Sequence, residues 1–349
     1  MKLRLIATAL AATLVAITAA IALDASLPAY QAVSGISGQI KSVGSDTLNN
    51  EMTLWAKGFE GLYPGVTIEI EGKGSATAPP ALLEGASQFG PMSRPMNADE
   101  IAAFEKKYGY KPAHFRVAAD ALAIYVNKDN PILCLTLQQV DQIFSATRQG
   151  SGSRSIDKWG DAGLTGEWAT KPIAIYGRNS LSGTYEFFKS TVLYNGDYKD
   201  AVKQQPGSAE VVQSVANDKF AIGYSGLGYK TEGVRTVPLA AYYGAKCYDT
   251  TAEATYSGKY PIARYLYINL NKKPDEPLDP LRAEFIKYIL SKDGQTLTEK
   301  AGISRSPMKS ASTTSMHWEF RPSRTKCLSG SIYSNGTHTP KLGIDAGAV

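Results

Sequence analysis

Three times in this sequence, a short apolar stretch leads through a turn of glycine, serine and threonine into an amphipathic stretch. The turns occupy residues 44–47, 72–77 and 177–184. Alternation of strand-like and helix-like segments predicts an α/β fold. The first turn of a helix leaves backbone N–H groups unpaired at the positive end of its dipole, so each turn could seat an oxyanion. An ordinary N-cap is the alternative at each turn, because serine and threonine are common caps.

The longest turn, residues 177–184, carries the most chemistry. It follows the apolar run 172–176, and the helix after it carries Phe188 and Val192 on one face. Arg178 supplies a fixed positive charge and paired donors. A surface salt bridge is the alternative role for this arginine.

The other two turns are also flanked by regular structure. The helix after 44–47 is predicted to place its large apolar residues on one face, at Leu48, Met52, Trp55, Phe59 and Leu62. The turn 72–77 follows the strand 66–70 and precedes a helix that begins near Pro79, where proline suits the first turn. Two capping boxes predict further helix starts, namely Asn97 with Glu100 and Thr136 with Gln139.

Several dispersed motifs together carry a family resemblance. In chain order they are GSDTL, LWAKGFEGLYP, EGKGSATAP, GPMSRPM and GRNSLSGTYEFF. Across roughly residues 38 to 310 the chain resembles the phosphate-binding subunit of bacterial phosphate ABC transporters. The resemblance implies the two-lobed periplasmic binding protein fold (type II), an α/β fold with its ligand cleft between lobes joined by a two-strand hinge. It implies lobe one at 36–126 plus 260–310 and lobe two at 127–259.

The same resemblance implies a function and a ligand set. The protein is expected to bind inorganic phosphate with high affinity and to deliver it to the membrane permease of an ABC transporter. It is expected to act as a monomer, with no cofactor, metal or catalytic residue. The ligand contacts carried over by motif are Ser45, Asp46, Thr47, Ser75 and Ser93 in lobe one, and Arg178, Ser182, Gly183 and Thr184 in lobe two. Arg94 beside them is either a cation at the rim or a plain surface charge.

Two departures from the family pattern concern selectivity. Ser93 stands where better-known members of the family carry an aspartate that accepts a hydrogen bond from the proton of a phosphate, and Ser180 stands where they carry a second aspartate. An ionised acceptor that faces an unprotonated oxyanion is a costly like-charge contact, which is how such a carboxylate rejects sulfate. Asp46 is the carboxylate left within the motifs, with an N-cap of the first helix as its alternative role. Selectivity therefore rests on Asp46 or is relaxed toward sulfate or arsenate.

The compartment follows from the amino terminus and the cysteines. Residues 1–22 carry Lys2 and Arg4 before an apolar run, which is typical of a cleaved secretory signal peptide and predicts the periplasm, with an uncleaved membrane anchor as the alternative. In an oxidising periplasm two of the three cysteines can pair. The sequence alone does not select the pair among Cys134, Cys247 and Cys327, and Cys134 with Cys247 is preferred. A net charge of +5 is too small to argue for nucleic acid.

Two other functions remain open from the residues. A secreted phosphate-ester hydrolase could use the same oxyanion seat, but the three histidines form no metal or triad motif, and Gly223-Tyr224-Ser225-Gly226 is one residue off the nucleophile-elbow spacing. An adhesion or matrix protein on the same fold is suggested by the tail at 311–349, rich in serine, threonine, lysine and glycine, which extends beyond the family pattern.

Overall fold

The computed structural model describes residues 27–150, 152 and 154–306. The predicted signal peptide at 1–22, the tail at 311–349 and Cys327 lie outside the described residues.

Strands and helices alternate along the described chain. The elements up to the middle of the chain are β1 (Gly38–Val43), α1 (Asn49–Leu62), β2 (Val66–Glu71), α2 (Ala78–Leu83), β3 (Gly90–Met92), α3 (Ala98–Tyr108), β4 (Ala113–Asn127), β5 (Leu135–Thr136) and α4 (Leu137–Phe144). The second half contains β6 (Ala174–Arg178), α5 (Gly183–Thr191), β7 (Lys203–Gln205), α6 (Ser208–Asn217), β8 (Ala221–Gly226), β9 (Val234–Thr236), β10 (Leu239–Ala240), α7 (Ala252–Tyr256), β11 (Ala263–Leu270), α8 (Pro280–Leu290), α9 (Lys292–Lys300) and β12 (Ser304–Arg305). Short 3-10 turns lie at Ser75–Thr77, Gly166–Trp168 and Leu227–Tyr229.

One large sheet connects most of these elements. Its strands run in the order β3-β11-β4-β8-β6-β7, and β9 and β12 also pair with β4. β4 is antiparallel to both β11 and β8, whereas β6 is parallel to β8 and β7. β1 and β2 form a separate parallel pair. Helices cover the sheets, as the alternation in the sequence predicts.

Two large hydrophobic cores lie along the big sheet. The first core takes its buried residues from positions 40–118 and 266–303. The second core takes its buried residues from positions 121–262. β4 is shared, because Phe115 and Val117 pack in the first core and Leu122 and Ile124 in the second. β4 and β11 therefore run past both cores.

Most of the predicted helix starts and faces are confirmed. Asn97 and Thr136 each form a complete capping box with the residue three positions on. Along α1, the buried face consists of Leu48, Met52, Trp55 and Phe59. The prediction for Leu62 is wrong, because this residue is 46% exposed and Tyr63 is buried instead. α1 ends at Leu62, and the chain turns there, so the helical period no longer decides which side chain faces the core.

The structure also selects the cysteine pair. Cys134 and Cys247 form a disulfide, with their Cα atoms 6.2 Å apart and a sequence separation of 113. This confirms the preferred pairing. The disulfide joins the residue just before β5 to the segment that follows β10.

Candidate anion-binding site

Hydroxyl groups from opposite sides of the molecule meet directly. Thr47 follows β1 on the first-core side, and its Oγ1 lies 2.9 Å from Oγ1 of Thr184 in the first turn of α5. Beside them, Ser75 Oγ lies 3.2 Å from Ser93 Oγ and accepts a hydrogen bond from the Ser93 N–H at 3.0 Å. All four side chains are buried, each at most 1% exposed. Small side chains and helix starts thus enclose a polar region that is shielded from water.

Two glycines allow this close approach. A Cβ atom on Gly183 would lie 2.4 Å from Ser75 Oγ and 2.9 Å from Ser93 Oγ, so any side chain there collides with the facing loop. Gly74 has φ of +124° and faces Leu181, whose carbonyl oxygen a Cβ atom would approach to 2.4 Å. The Ala76 N–H donates to the Leu181 carbonyl at 3.1 Å across the same gap. The two sides are therefore in backbone contact.

Ser182 takes the capping role that the sequence gives as one alternative for the turn 177–184. It is the N-cap of α5, and its Oγ accepts from the N–H groups of Thr184 and Tyr185 at 3.1 and 3.4 Å. The oxygen is thus used by the helix, whereas the hydroxyl hydrogen can still be donated. Ser45 is buried in the first turn, where its N–H donates to the Pro91 carbonyl at 2.8 Å. Ser45 therefore fastens the first turn to the turn that holds Ser93.

Arg178 is buried at the end of β6, only 1% exposed, which excludes the surface salt bridge. Its Nη1 donates to Ser208 Oγ at 2.7 Å and lies 2.9 Å from Asp46 Oδ1, and its Nη2 donates to the Pro206 carbonyl at 3.0 Å. Its Nε is buried without a hydrogen-bond partner among the described residues. A buried guanidinium N–H normally finds an acceptor, so this donor is suited to an oxyanion.

Asp46 connects the two sides of the site. Its Oδ1 accepts from the Ser208 N–H and hydroxyl at 2.8 and 2.6 Å, in addition to its contact with Arg178. The alternative role as N-cap of the first helix is wrong, because α1 has Leu48 at its N-cap and no side-chain cap. Asp46 instead satisfies the amide at the start of α6, a helix on the opposite side. The Tyr229 hydroxyl also donates to the Asp46 carbonyl at 2.6 Å.

Arg94 is neither a rim cation nor a surface charge, because its side chain is 8% exposed and fully engaged by carboxylates. Nη1 and Nη2 donate to the two oxygens of Glu100 at 2.7 Å each, and Nη2 also donates to Glu186 at 3.2 Å. Burial raises the pKa of Glu186, and the nearby Arg94 opposes this shift. Since Glu186 belongs to α5 on the second-core side, Arg94 links the two sides beside the hydroxyl cluster.

Three ionisable residues next to this region belong to none of the ligand contacts expected from the sequence. Asp120 in β4 and Arg264 in β11 form a buried pair at 2.9 Å, and Arg264 Nη2 donates to Thr184 Oγ1 at 2.9 Å. Glu51 in α1 is fully buried, and neither carboxyl oxygen has a hydrogen-bond partner among the described residues. Burial raises the pKa of Glu51 well above its ordinary value. A charged residue in an otherwise apolar predicted strand or helix face is the signal that could have found all three.

Comparisons with known proteins decide the family. The model of the PBP superfamily domain matches residues 29–293. The phosphate-binding protein PstS of Pseudomonas aeruginosa is 53% identical over 314 residues, which cover 89% of this chain and 97% of the relative. This chain belongs to the PstS family of phosphate-binding proteins. The PstS protein of Staphylococcus saprophyticus is 28% identical over 276 residues, with 78% of this chain and 82% of the relative covered.

Solved structures of the PstS family and its neighbours share the fold. A phosphate ABC transporter substrate-binding protein from Clostridium perfringens, solved with bound phosphate, is similar with a TM-score of 0.65 and 25% identity, over 77% of this chain and 99% of that one. A phosphate transport receptor from Vibrio cholerae, 22% identical, shows the same fold with a TM-score of 0.58, over 76% and 99%. The predicted fold class, the type II periplasmic binding protein fold, is confirmed.

The part of the chain that the structure describes contains neither a candidate metal-ion cluster nor a helix that could span a membrane. Among residues 27–306, apart from the two positions left out, no cluster of three histidine, cysteine, aspartate or glutamate side chains could hold a metal ion. Within that same part of the chain, no helix is long and apolar enough to cross a membrane.

Proposed function

We propose that this protein binds inorganic phosphate with high affinity in the periplasm and delivers it to the membrane permease of an ABC transporter. The observation that carries the proposal is the meeting of four buried hydroxyls, at Thr47, Ser75, Ser93 and Thr184. Arg178, which is bonded to Asp46 of the first turn, keeps a buried Nε with no hydrogen-bond partner among the described residues. Donors concentrated in a water-excluded region are what a small oxyanion requires. Membership of the PstS family supports the same ligand.

The proposed ligand set is the one expected from the sequence. Hydroxyls donate from Ser45, Thr47, Ser75, Ser93, Ser182 and Thr184, Gly183 offers its helix-start amide, Arg178 offers Nε, and Asp46 serves as the carboxylate. In this proposal the two cores belong to two lobes, 36–126 plus 260–310 and 127–259. An anion that takes hydrogen bonds from both lobes stabilises the closed form. The protein is exported by the segment 1–22 and acts as a monomer.

Binding without catalysis agrees with the chemistry near the site. His114 is the one histidine within the described residues, and it packs against Tyr267 with ring centres 6.0 Å apart. Burial lowers the pKa of His114. It lies opposite Asn269, at the end of the β4–β11 ladder away from the pair formed by Asp120 and Arg264. No observation favours the phosphate-ester hydrolase, and none favours the adhesion or matrix protein.

Thermal unfolding with and without phosphate tests the function. A ligand that binds only the folded form at a hundredfold excess over Kd adds about 2.7 kcal/mol to the free energy of unfolding. We expect a clear rise in Tm with phosphate for the natural chain and a much smaller rise for Thr47→Val. Thr53→Val is the matched control, because Thr53 lies on α1, the helix that follows Thr47, and its hydroxyl donates to the Asn49 carbonyl at 2.7 Å, away from the hydroxyl cluster. An unchanged Tm of the natural chain at millimolar phosphate would refute the proposal.

Asp46 is the proposed source of selectivity against sulfate. Oδ1 of Asp46 already accepts hydrogen bonds from Arg178 and Ser208. In this proposal Oδ2 is therefore the oxygen that accepts a hydrogen bond from the proton of the phosphate. Calorimetry should show that Asp46→Asn narrows the ratio of phosphate to sulfate affinity. Ser208→Ala is the control, because it removes one hydrogen-bond donor to Asp46 and one acceptor for Arg178 and leaves the carboxylate in place. An unchanged ratio in Asp46→Asn would reject this role.

A further inference from the structure

A second buried arginine stands beside the site, on a strand that runs past both cores. Arg264 in β11 lies directly opposite Asp120 in β4, in the antiparallel register of the two strands. Its Nε and Nη2 donate to Asp120 Oδ2 at 3.0 and 2.9 Å. The side chains are 3% and 0% exposed. A fully buried ion pair is weak evidence for stability, since the desolvation of both charges offsets their attraction.

The remaining donors of Arg264 reach residues of the anion site on both sides. Nη1 donates to the carbonyl of Ser93 at 3.1 Å, and Nη2 donates to Oγ1 of Thr184 at 2.9 Å. A guanidinium donates and never accepts, so Thr184 Oγ1 is the acceptor in this bond. The other neighbour of the Thr184 hydroxyl is Thr47 Oγ1 at 2.9 Å, and an anion oxygen bound between the two threonines would compete for the Thr184 hydrogen. A hydroxyl that accepts from a cation is polarised into a stronger donor.

The charges around Arg264 point the same way. Burial lowers the pKa of Arg264, Asp120 opposes the shift, and the repulsion of Arg178 adds to it. Two guanidinium groups therefore act on the same buried region. A dianion bound beside both guanidinium groups would relieve their mutual repulsion. An ion pair that served only to join two strands would not need a second arginine nearby.

We propose that Arg264 is a positioning residue for the bound anion: held by Asp120, it fixes the Thr184 hydroxyl as a donor toward the anion and adds a second positive charge to the site. The inference rests on the proposed phosphate-binding function and deepens it. It assigns β4 and β11 a part in binding beyond that of connecting the two cores.

A double-mutant cycle tests the proposal on the full chain. Arg264→Gln is combined with Asp120→Asn so that no charge is left buried alone, and phosphate affinity is measured by calorimetry with and without Thr184→Val. We expect the charge-neutral pair to lose about tenfold or more in affinity, the fold-change of one charge-assisted hydrogen bond. In the Thr184→Val background we expect the same change to cost no more than about threefold, because the hydroxyl it positions is gone.

Two further variants separate positioning from a structural role. Arg264→Lys keeps the charge and loses the forked geometry, so it should recover part of the affinity lost by Arg264→Gln. Arg116→Gln is the control for net charge, because Arg116 is exposed on β4 and stacks on Tyr265. It should bind phosphate as the natural chain does.

The outcomes are distinct. The positioning role is refuted if the folded double variant Arg264→Gln with Asp120→Asn binds phosphate as tightly as the natural chain. It is also refuted if the double variant lowers phosphate affinity by the same factor with Thr184 and with Thr184→Val. Should the double variant fail to fold, equal phosphate affinity of Arg264→Lys and the natural chain refutes it as well. If the natural chain itself fails to bind phosphate, the proposed function fails and the inference falls with it.

Discussion

Replacing Gly183 by alanine should keep the two sides of the anion site apart. The added Cβ would lie 2.4 Å from Ser75 Oγ, 2.7 Å from Ser75 Cβ and 2.9 Å from Ser93 Oγ. Ordinary contact begins near 3.4 Å, so the facing loops must separate by about 1 Å. Ser75 and Ser93 are short side chains in tight turns, so they cannot swing aside as a flexible side chain would.

The loss of affinity follows from that displacement. The contact between Thr47 and Thr184 measures 2.9 Å, and a separation of about 1 Å takes such contacts beyond hydrogen-bond range. An anion held from both sides would then lose its bonds to one of them. Two lost charge-assisted hydrogen bonds, at about 1.5–3 kcal/mol each, raise Kd by roughly 10²–10⁴-fold.

Calorimetry with phosphate and denaturant unfolding together give the decisive assay. Gly183 opens α5 without a left-handed φ, so alanine fits the helix backbone itself, and denaturant unfolding measures separately what the displaced contacts cost the fold. Gly61→Ala is the matched control, because a Cβ there meets no atom within 4 Å in α1. If Gly183→Ala binds phosphate within about threefold of the natural chain, the claim that this contact is needed for tight binding is refuted.

Three further perturbations follow from the structure. Because burial raises the pKa of Glu51, the folded chain holds more protons than the unfolded one, and the free energy of unfolding falls by about 1.4 kcal/mol per pH unit as pH rises from 4.5 toward that raised pKa. Glu51→Gln should remove this slope when urea unfolding is followed from pH 4.5 upward, and parallel curves would contradict it. Removing Cys134 and Cys247 together should lower the free energy of unfolding by about 2–5 kcal/mol in urea, and an unchanged midpoint would exclude a stabilising bond. Glu186→Gln leaves Arg94 paired with Glu100, so calorimetry should show at most about a tenfold weaker affinity for phosphate, with a smaller effect at high salt.

Much of the fold could be predicted because local patterns and tertiary packing agree along this chain. The face of α1 from Leu48 to Phe59 and the capping boxes at Asn97 and Thr136 follow from residue spacing. Leu62 shows the limit, since a helical period holds only while the helix continues. The pair of Cys134 and Cys247 needed the structure, because sequence spacing does not report distance in space.

The candidate site was predictable in its small residues and much less so in its charges. Thr47, Ser75 and Thr184 stand in turns between strand and helix, where the sequence itself marks the amides and hydroxyls. Asp46 and Arg178 bond across elements that are far apart in sequence, so the cap on α6 could not be seen from residues 44–47 alone. Arg264 and Asp120 lie inside strands, where their pairing depends on the register of two segments separated by over a hundred residues.

The second core is formed by one continuous stretch of sequence, whereas the first core combines two stretches that lie far apart. Because the chain is synthesised from its amino end, the two cores can be completed at different times. The second core is complete once residue 262 has emerged, because all its buried residues lie between 121 and 262. The first core must wait for residues 266–303, although its other members begin at Ile40. Trp55, Phe59 and Phe89 therefore remain without Phe285 until nearly the whole described chain is outside the ribosome or the export channel. A chain that ends between residues 262 and 266 should thus contain a complete second core and an amino-terminal third with exposed apolar side chains. That third is the part of the nascent chain with most need of a chaperone.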